Sequence, residues 1–170
     1  MDATSIRISK MHFLVVTMLV VFLCAAASSA QTLQLPTPKS YAQKLVNETL
    51  AAQPDIMGLE ISAAYAKKDD CSTIASDEEL GIGEKCDRDE YSVMETNKPF
   101  ADKTTEHGKE FFDVNVPIHD ANGKILAIVG VDFKPDPKQT AAQASDRAQQ
   151  IAKEIEAKVP SREKLFEPVK

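Results

Sequence analysis

The sequence contains no tryptophan and only three cysteines, three histidines and six glycines in 170 residues. Three cysteines are too few for a disulfide-dense miniature scaffold. No glycine-rich phosphate loop, G-x-S-x-G elbow, H-E-x-x-H pair or C-x-x-C-H haem attachment is present, so neither a catalytic constellation nor a cofactor is expected. No basic stripe stands out either. With 20 Lys and Arg against 26 Asp and Glu, the net charge is −6, which argues against nucleic-acid binding, since neutralising phosphates needs clustered cations. What the chain does have is a 43% apolar fraction, ample for a packed core and incompatible with wholesale disorder. The length favours one domain.

The first thirty residues read as a secretory signal peptide. Arg7 and Lys10 give a positive start, an apolar run follows from Phe13 to Ala27, and Ser28-Ser29-Ala30 supplies the small residues of a cleavage site. The run falls short of the roughly 20 residues of a membrane-spanning helix, so cleavage after Ala30 is expected over an uncleaved anchor. Lipid attachment at Cys24 is disfavoured by the bulk of Leu23 before it. The mature product is expected to be periplasmic or secreted. Removing Cys24 leaves Cys71 and Cys86, an even pair that an oxidising compartment would join. Closing a loop of about 15 residues contributes roughly 3 kcal/mol in the chain-entropy model.

Residues 31–39 carry two prolines and read as a leader. A helix is expected from Ser40, its cap, to the stop at Pro54, with Tyr41, Ala42, Leu45, Leu50, Ala51 and Ala52 on the apolar side. Residues 57–65 alternate Met57, Leu59, Ile61, Ala63 and Tyr65 with Gly58, Glu60, Ser62 and Ala64, the two-residue period of a strand. A second strand begins at Cys71, and the Asp77-Glu78-Glu79 run with Gly81 and Gly83 breaks it. A short helix over about 88–96 places Tyr91 and Met94 on one side. The segment 98–109 reads as a polar connection into the strongest signal, a hairpin of strands 110–119 and 124–133 through Asp120-Ala121-Asn122-Gly123. Residues 140–159 read as an amphipathic helix with an apolar stripe of Ala144, Ala148, Ile151, Ile155 and Val159. In the tail, 161–170, Leu165 and Phe166 are positioned to dock back. This order describes an α+β domain over 40–160 with an antiparallel sheet.

Three pieces of this order resemble extracytoplasmic PAS-like sensor domains of the Cache (PDC) family. Cys71-Ser72-Thr73-Ile74-Ala75-Ser76-Asp77 before Ile82-Gly83 resembles a strand ending in "ASD" ahead of an "IG". Thr96-Asn97-Lys98-Pro99 resembles a "TGKP" element. Val116-Pro117-Ile118-His119-Asp120 with Gly123-Lys124 and Val129-Gly130-Val131-Asp132-Phe133 resembles the closing hairpin. The likeness spans about 40–135. It implies a five- or six-stranded antiparallel sheet with an N-terminal helix on one face and a small-molecule pocket on the other. Domains of this family usually sit between two membrane helices of a receptor and pass ligand binding across the membrane; this chain departs there, with no second hydrophobic stretch of spanning length, so its C-terminal helix is expected in place of the membrane return. The chain departs from the amino-acid-sensing branch, whose Tyr/Arg/Trp/Tyr cluster cannot be built without tryptophan or an arginine between 89 and 146.

Two functions follow as expectations. One is a secreted, sensor-like domain that binds a small metabolite and presents it to a membrane partner; the alternative is a ligand-free adaptor with the same fold. A hollow polar sheet face favours the first, a solid apolar one the second. Alternation puts Asp113 and Asn115 on one side of their strand, Asp132 with Gly130 on one side of the next, and Glu60 and Ser62 opposite an apolar row. Asp132 also stands where the family's last strand places a ligand-contacting acid. The expected ligand residues are Tyr91, Phe111, Asp113, Asn115 and Asp132. Buried carboxylates favour a cationic or amine-bearing ligand, because an unpaired buried charge is costly. A metal site joining Glu106, His107 and His119 is not expected, since spacing alone does not bring them together. Asn47-Glu48-Thr49 fits a glycosylation acceptor but falls within the expected first helix.

Overall fold

Two long alternating segments organise the sheet. In a computed structural model, which describes residues 39–169 except 66, 67, 79, 80 and 107, strand β4 (Lys109–His119) pairs antiparallel with β5 (Ile125–Phe133). The expected signal peptide and all of the leader but Lys39 lie outside the described residues. The hairpin turn forms because Asp120 Oδ1 accepts the N–H groups of Asn122 and Lys124 at 2.8 and 2.9 Å. Gly123 takes a φ of +78°, which glycine adopts without strain. Strand β1 (Ile56–Ala64) pairs with the free side of β5, and β2 (Cys71–Ser76) lies beyond it. Strand β3 (Phe100–Glu106) pairs with β4. The result is a five-stranded antiparallel sheet in the order β2-β1-β5-β4-β3, an α+β fold of PAS-like form.

Helices α1 (Tyr41–Ala52), α3 (Ala141–Glu156) and α4 (Arg162–Phe166) flank the sheet; α1 lies against β1 and β2, and α3 against β4 and β3. The helices and the sheet share one apolar cluster. It joins Leu59, Ile61, Val114, Val116, Ile118, Val129 and Val131 of the sheet to Leu45 and Val46 of α1 and Ile151 and Ile155 of α3, all of them fully or almost fully buried. The apolar stripe expected on α3 is all buried, Val159 included. Thr140 caps α3 in a capping box with Gln143. Ser40 caps α1 by accepting the Gln43 N–H. In α4, Leu165 and Phe166 are buried, with the Phe166 ring 5.1 Å from that of Tyr65. Arg162 donates to the carbonyls of Ala64, Ile125 and Leu126, tying the tail to the point where β1 and β5 part. The tail is therefore part of the folded body.

Four expectations need correction. Residues 100–106 form a strand, not a polar connection; polar side chains are tolerated there because β3 is an edge, with Asp102, Lys103 and Thr105 exposed. The β1 register shifts between Ile56 and Gly58. Ile56 therefore takes the core place, and Met57 is 37% exposed. On α1 the buried side is Ala42, Leu45, Val46 and Thr49 with Gln43, while Ala51 and Ala52 are exposed. The short helix α2 (Arg88–Thr96) has the expected bounds, but Glu90 and Val93 are its buried residues, not Tyr91 and Met94.

Candidate ligand-binding face

The opposite face of the sheet is polar, and its register sets two rows of side chains. In the first, Gly58 lies opposite Asp132, Asp132 opposite Asp113, and Asp113 opposite Asp102. Directly paired residues project to the same side, so three aspartates on three neighbouring strands stand side by side. In the second row Ser76, Glu60, Gly130 and Asn115 follow one another across β2, β1, β5 and β4. The glycines make room for the acids. A Cβ on Gly58 would stand 2.7 Å from Asp132 Oδ2, and one on Gly130 would stand 2.8 Å from Glu60 Cγ and 3.2 Å from Asn115 Oδ1.

Helix α2 covers the β3, β4 and β5 part of this face. Its start is fixed by a capping box: Asp87 accepts the N–H groups of Asp89 and Glu90, and Glu90 Oε2 accepts the Asp87 N–H at 2.8 Å. The segment between β2 and α2 forms a wall beside the uncovered remainder. Gln43, buried on α1, accepts from the Ser76 N–H and donates to the Ser76 carbonyl, extending strand-like pairing past the end of β2. The Asp77 carboxylate accepts the Leu59 N–H at 2.9 Å. Further on, the chain doubles back along the outer edge of β2, where Thr73 exchanges backbone hydrogen bonds with Gly83 and Glu84. The disulfide Cys71–Cys86, Cα atoms 5.4 Å apart, closes this loop.

Floor and wall enclose a cavity of about 410 Å³. Glu60, Asp113 and Asp132 line it from the sheet and Asp77, Glu78 and Glu84 from the wall; among the described residues no lysine, arginine or histidine lines it. Met57 and Phe111 supply apolar surface. Burial pushes the Glu60 carboxyl up to about 8, reinforced by the negative charges of Glu90, Asp132, Asp113 and Asp87. Burial likewise raises Asp113 to about 6, with Asp87, Asp89, Glu90 and Asp102 acting in the same sense. Glu90 is raised by its own burial. One buried acceptor, Asn115 Oδ1, has no hydrogen-bond partner among the described residues. Among the described residues the cavity gathers carboxylates with no cationic side chain, an arrangement chemically suited to a cation.

Of the expected site residues, Phe111, Asp113 and Asp132 line the cavity. Asn115 does not line it; the residue is 4% exposed and donates Nδ2 to Asp113 Oδ1 at 3.1 Å, so it orients that carboxylate. Tyr91 is not brought to the cavity. Glu90 is the residue that α2 turns inward; one step of about 100° along the helix takes Tyr91 away, and its hydroxyl donates to the Asp69 carbonyl. Glu60 was visible as a polar break in an apolar strand, yet its role depends on the neighbours that β5 and α2 bring. Asp77 and Glu78 were read as strand breakers and Glu84 was given no role; their position between the two cysteines was the available signal. His119 pairs with Asn97 and Glu156, and the His107 and Glu106 side chains lie outside the described residues. Among the described residues no group of three His, Cys, Asp or Glu is arranged to hold a metal ion, and no helix is long and apolar enough to cross a membrane.

Comparison with protein-family models and with curated proteins finds no match to this chain.

Proposed function

We propose that this chain is an extracytoplasmic, sensor-like binding domain of Cache type, which captures a cationic, amine-bearing metabolite and presents the occupied state to a membrane receptor. The observation that carries this reading is the cavity on the polar face, walled by six carboxylates and, among the described residues, by no basic side chain. An ammonium placed there relieves mutual repulsion among the acids and meets acceptors already fixed in place. The face is hollow and polar, which favours a ligand-binding role over a ligand-free adaptor. Binding, not catalysis, is the activity proposed. The disulfide supports an oxidising compartment.

The test is a thermal-shift screen of the purified protein against amines, amino acids and organic acids, followed by calorimetry on Asp132→Ala. A ligand at about 100 times its Kd adds about 2.7 kcal/mol of stability, so amines are expected to raise Tm visibly and organic acids to leave it unchanged. Asp132→Ala is expected to keep the fold and abolish the response. Amine affinity unchanged in that variant would remove this cavity as the binding site.

A further inference from the structure

The sheet forks at one end. The last pair between β1 and β5 is Ser62 with Ile128; beyond it Ala63 and Ala64 stay with β2, while Ala127 and Ile125 stay with β4. Arg162 of α4 bridges the fork. Its guanidinium donates to the Ala64 carbonyl on one side at 3.2 Å, and to the Ile125 and Leu126 carbonyls on the other at 2.9 and 3.2 Å. Those bonds use three of the five N–H groups that a guanidinium carries. Carbonyl oxygens orient the cation without cancelling its charge. Among the described residues no carboxylate forms an ion pair with Arg162 or with Lys124. Two acids act on these cations from further off, and both have hydrogen bonds of their own: Asp120 with the N–H groups of Lys124 and Asn122, Glu163 with its backbone and Ser161.

The fork opens into a second cavity, of about 370 Å³. Ala64, Ile125 and Ile128 line it from the strands and Met94 from α2. Lys124 and Arg162 are the only charged side chains that line it among the described residues, so its polarity is the reverse of the acidic cavity's. Apolar walls with a few convergent polar groups, at this volume, are the ordinary form of a small-molecule site. We infer that this cavity is a second binding site, for a small carboxylate with an apolar chain or ring, its carboxylate on Arg162 and Lys124 and its apolar body against Met94 and Ile128. This goes beyond the amine reading and does not depend on it. The two N–H groups left on the guanidinium are the number a carboxylate takes in a bidentate contact. The three carbonyls hold the group in place before the ligand arrives, which spares the entropy of ordering a long side chain. A hydrophilic acid leaves the apolar walls uncovered and gains little here, whereas an apolar chain removes them from water.

Calorimetry on the whole protein tests this with octanoate, 1-octanol and succinate as probes. Octanoate is expected to bind roughly tenfold or more tightly than 1-octanol, the value of a charge-assisted contact, and succinate to give no heat of binding. Removing Arg162 would also free the tail, so the informative variant is Lys124→Gln, at an exposed position. It is expected to erase most of the octanoate excess and to leave 1-octanol unchanged. Raising salt should weaken octanoate and not 1-octanol. Met94→Glu, at a half-buried position, is expected to weaken both apolar probes, octanoate more. Octanoate no tighter than 1-octanol, an excess undiminished in Lys124→Gln, affinities unchanged in Met94→Glu, or no binding of octanoate each overturns the site.

Discussion

The two faces of one sheet are made from the same strands and meet opposite fates. On one, β-branched and leucine side chains from β1, β4 and β5 are sealed by α1 and α3. On the other, glycines alternate with acids and only the short helix α2 gives cover, leaving a cavity. The first face stabilises by removing apolar area from water, at about 25 cal/mol per Å². The second gathers like charges and pushes two carboxyl groups toward their neutral forms, which works against stability. The packing of one face holds an electrostatically strained arrangement on the other, which is the contrast the proposed binding role rests on.

That contrast can be broken from the packed side first. Ile151→Ala, at a fully buried position of α3, is expected to lower unfolding free energy by about 2–5 kcal/mol in chemical denaturation. Binding by the molecules that remain folded should be intact, because the cavity is on the far side of the sheet. A smaller effect comes from the wall. Cys71→Ser with Cys86→Ser is expected to lower stability by roughly 2–4 kcal/mol. Unlike the core substitution, it should also weaken amine binding, since Asp77, Glu78 and Glu84 all lie inside the loop it releases. Mass mapping of unreduced, alkylated protein checks the bond itself.

A test on the polar side sharpens the comparison by reversing its sign. Glu60 has its folded pKa raised from 4.5 to about 8, so between those values the folded state holds a proton that the unfolded chain releases. Stability from this group is full at acidic pH and is lost as pH rises from about 4.5 through 8. Glu60→Gln fixes the neutral form and is expected to be the more stable protein above pH 8, by at most about 5 kcal/mol, with the two curves converging near pH 5. Parallel denaturation curves from pH 5 to 9 read this directly; a constant difference would assign the effect to packing.

Much of the sheet was legible because alternation is local. Phe112, Val114, Val116 and Ile118 announce a strand with one buried face, and Asp120 with Gly123 announces the turn, without reference to anything distant. The same held for the α3 stripe and for the cysteine pair. Strand β3 was not legible, since Asp102, Lys103 and Thr105 carry no apolar alternation; only pairing with β4 makes that segment a strand. The side presented by α2 was misread for a related reason. Glu90 is an improbable buried residue until its capping bond to Asp87 and its place over the sheet are known.

What the sequence determined by itself was the alternation of polar and apolar residues along β1, β4 and β5, with glycine beside the acid on β1 and β5, and with it the identity of the polar face; side-chain direction follows from a period of two and needs no tertiary information. What the tertiary structure decided was register and cover. Asp102, Asp113 and Asp132 are 30 residues apart from first to last in the chain, and they form one row only because hydrogen bonding between β3, β4 and β5 sets them opposite one another. The Glu60 carboxyl is pushed up to about 8 by burial first and then by the acids that β4, β5 and the start of α2 bring to its side. Pairing across strands and burial are properties of chain segments in contact, and no local pattern encodes the partner.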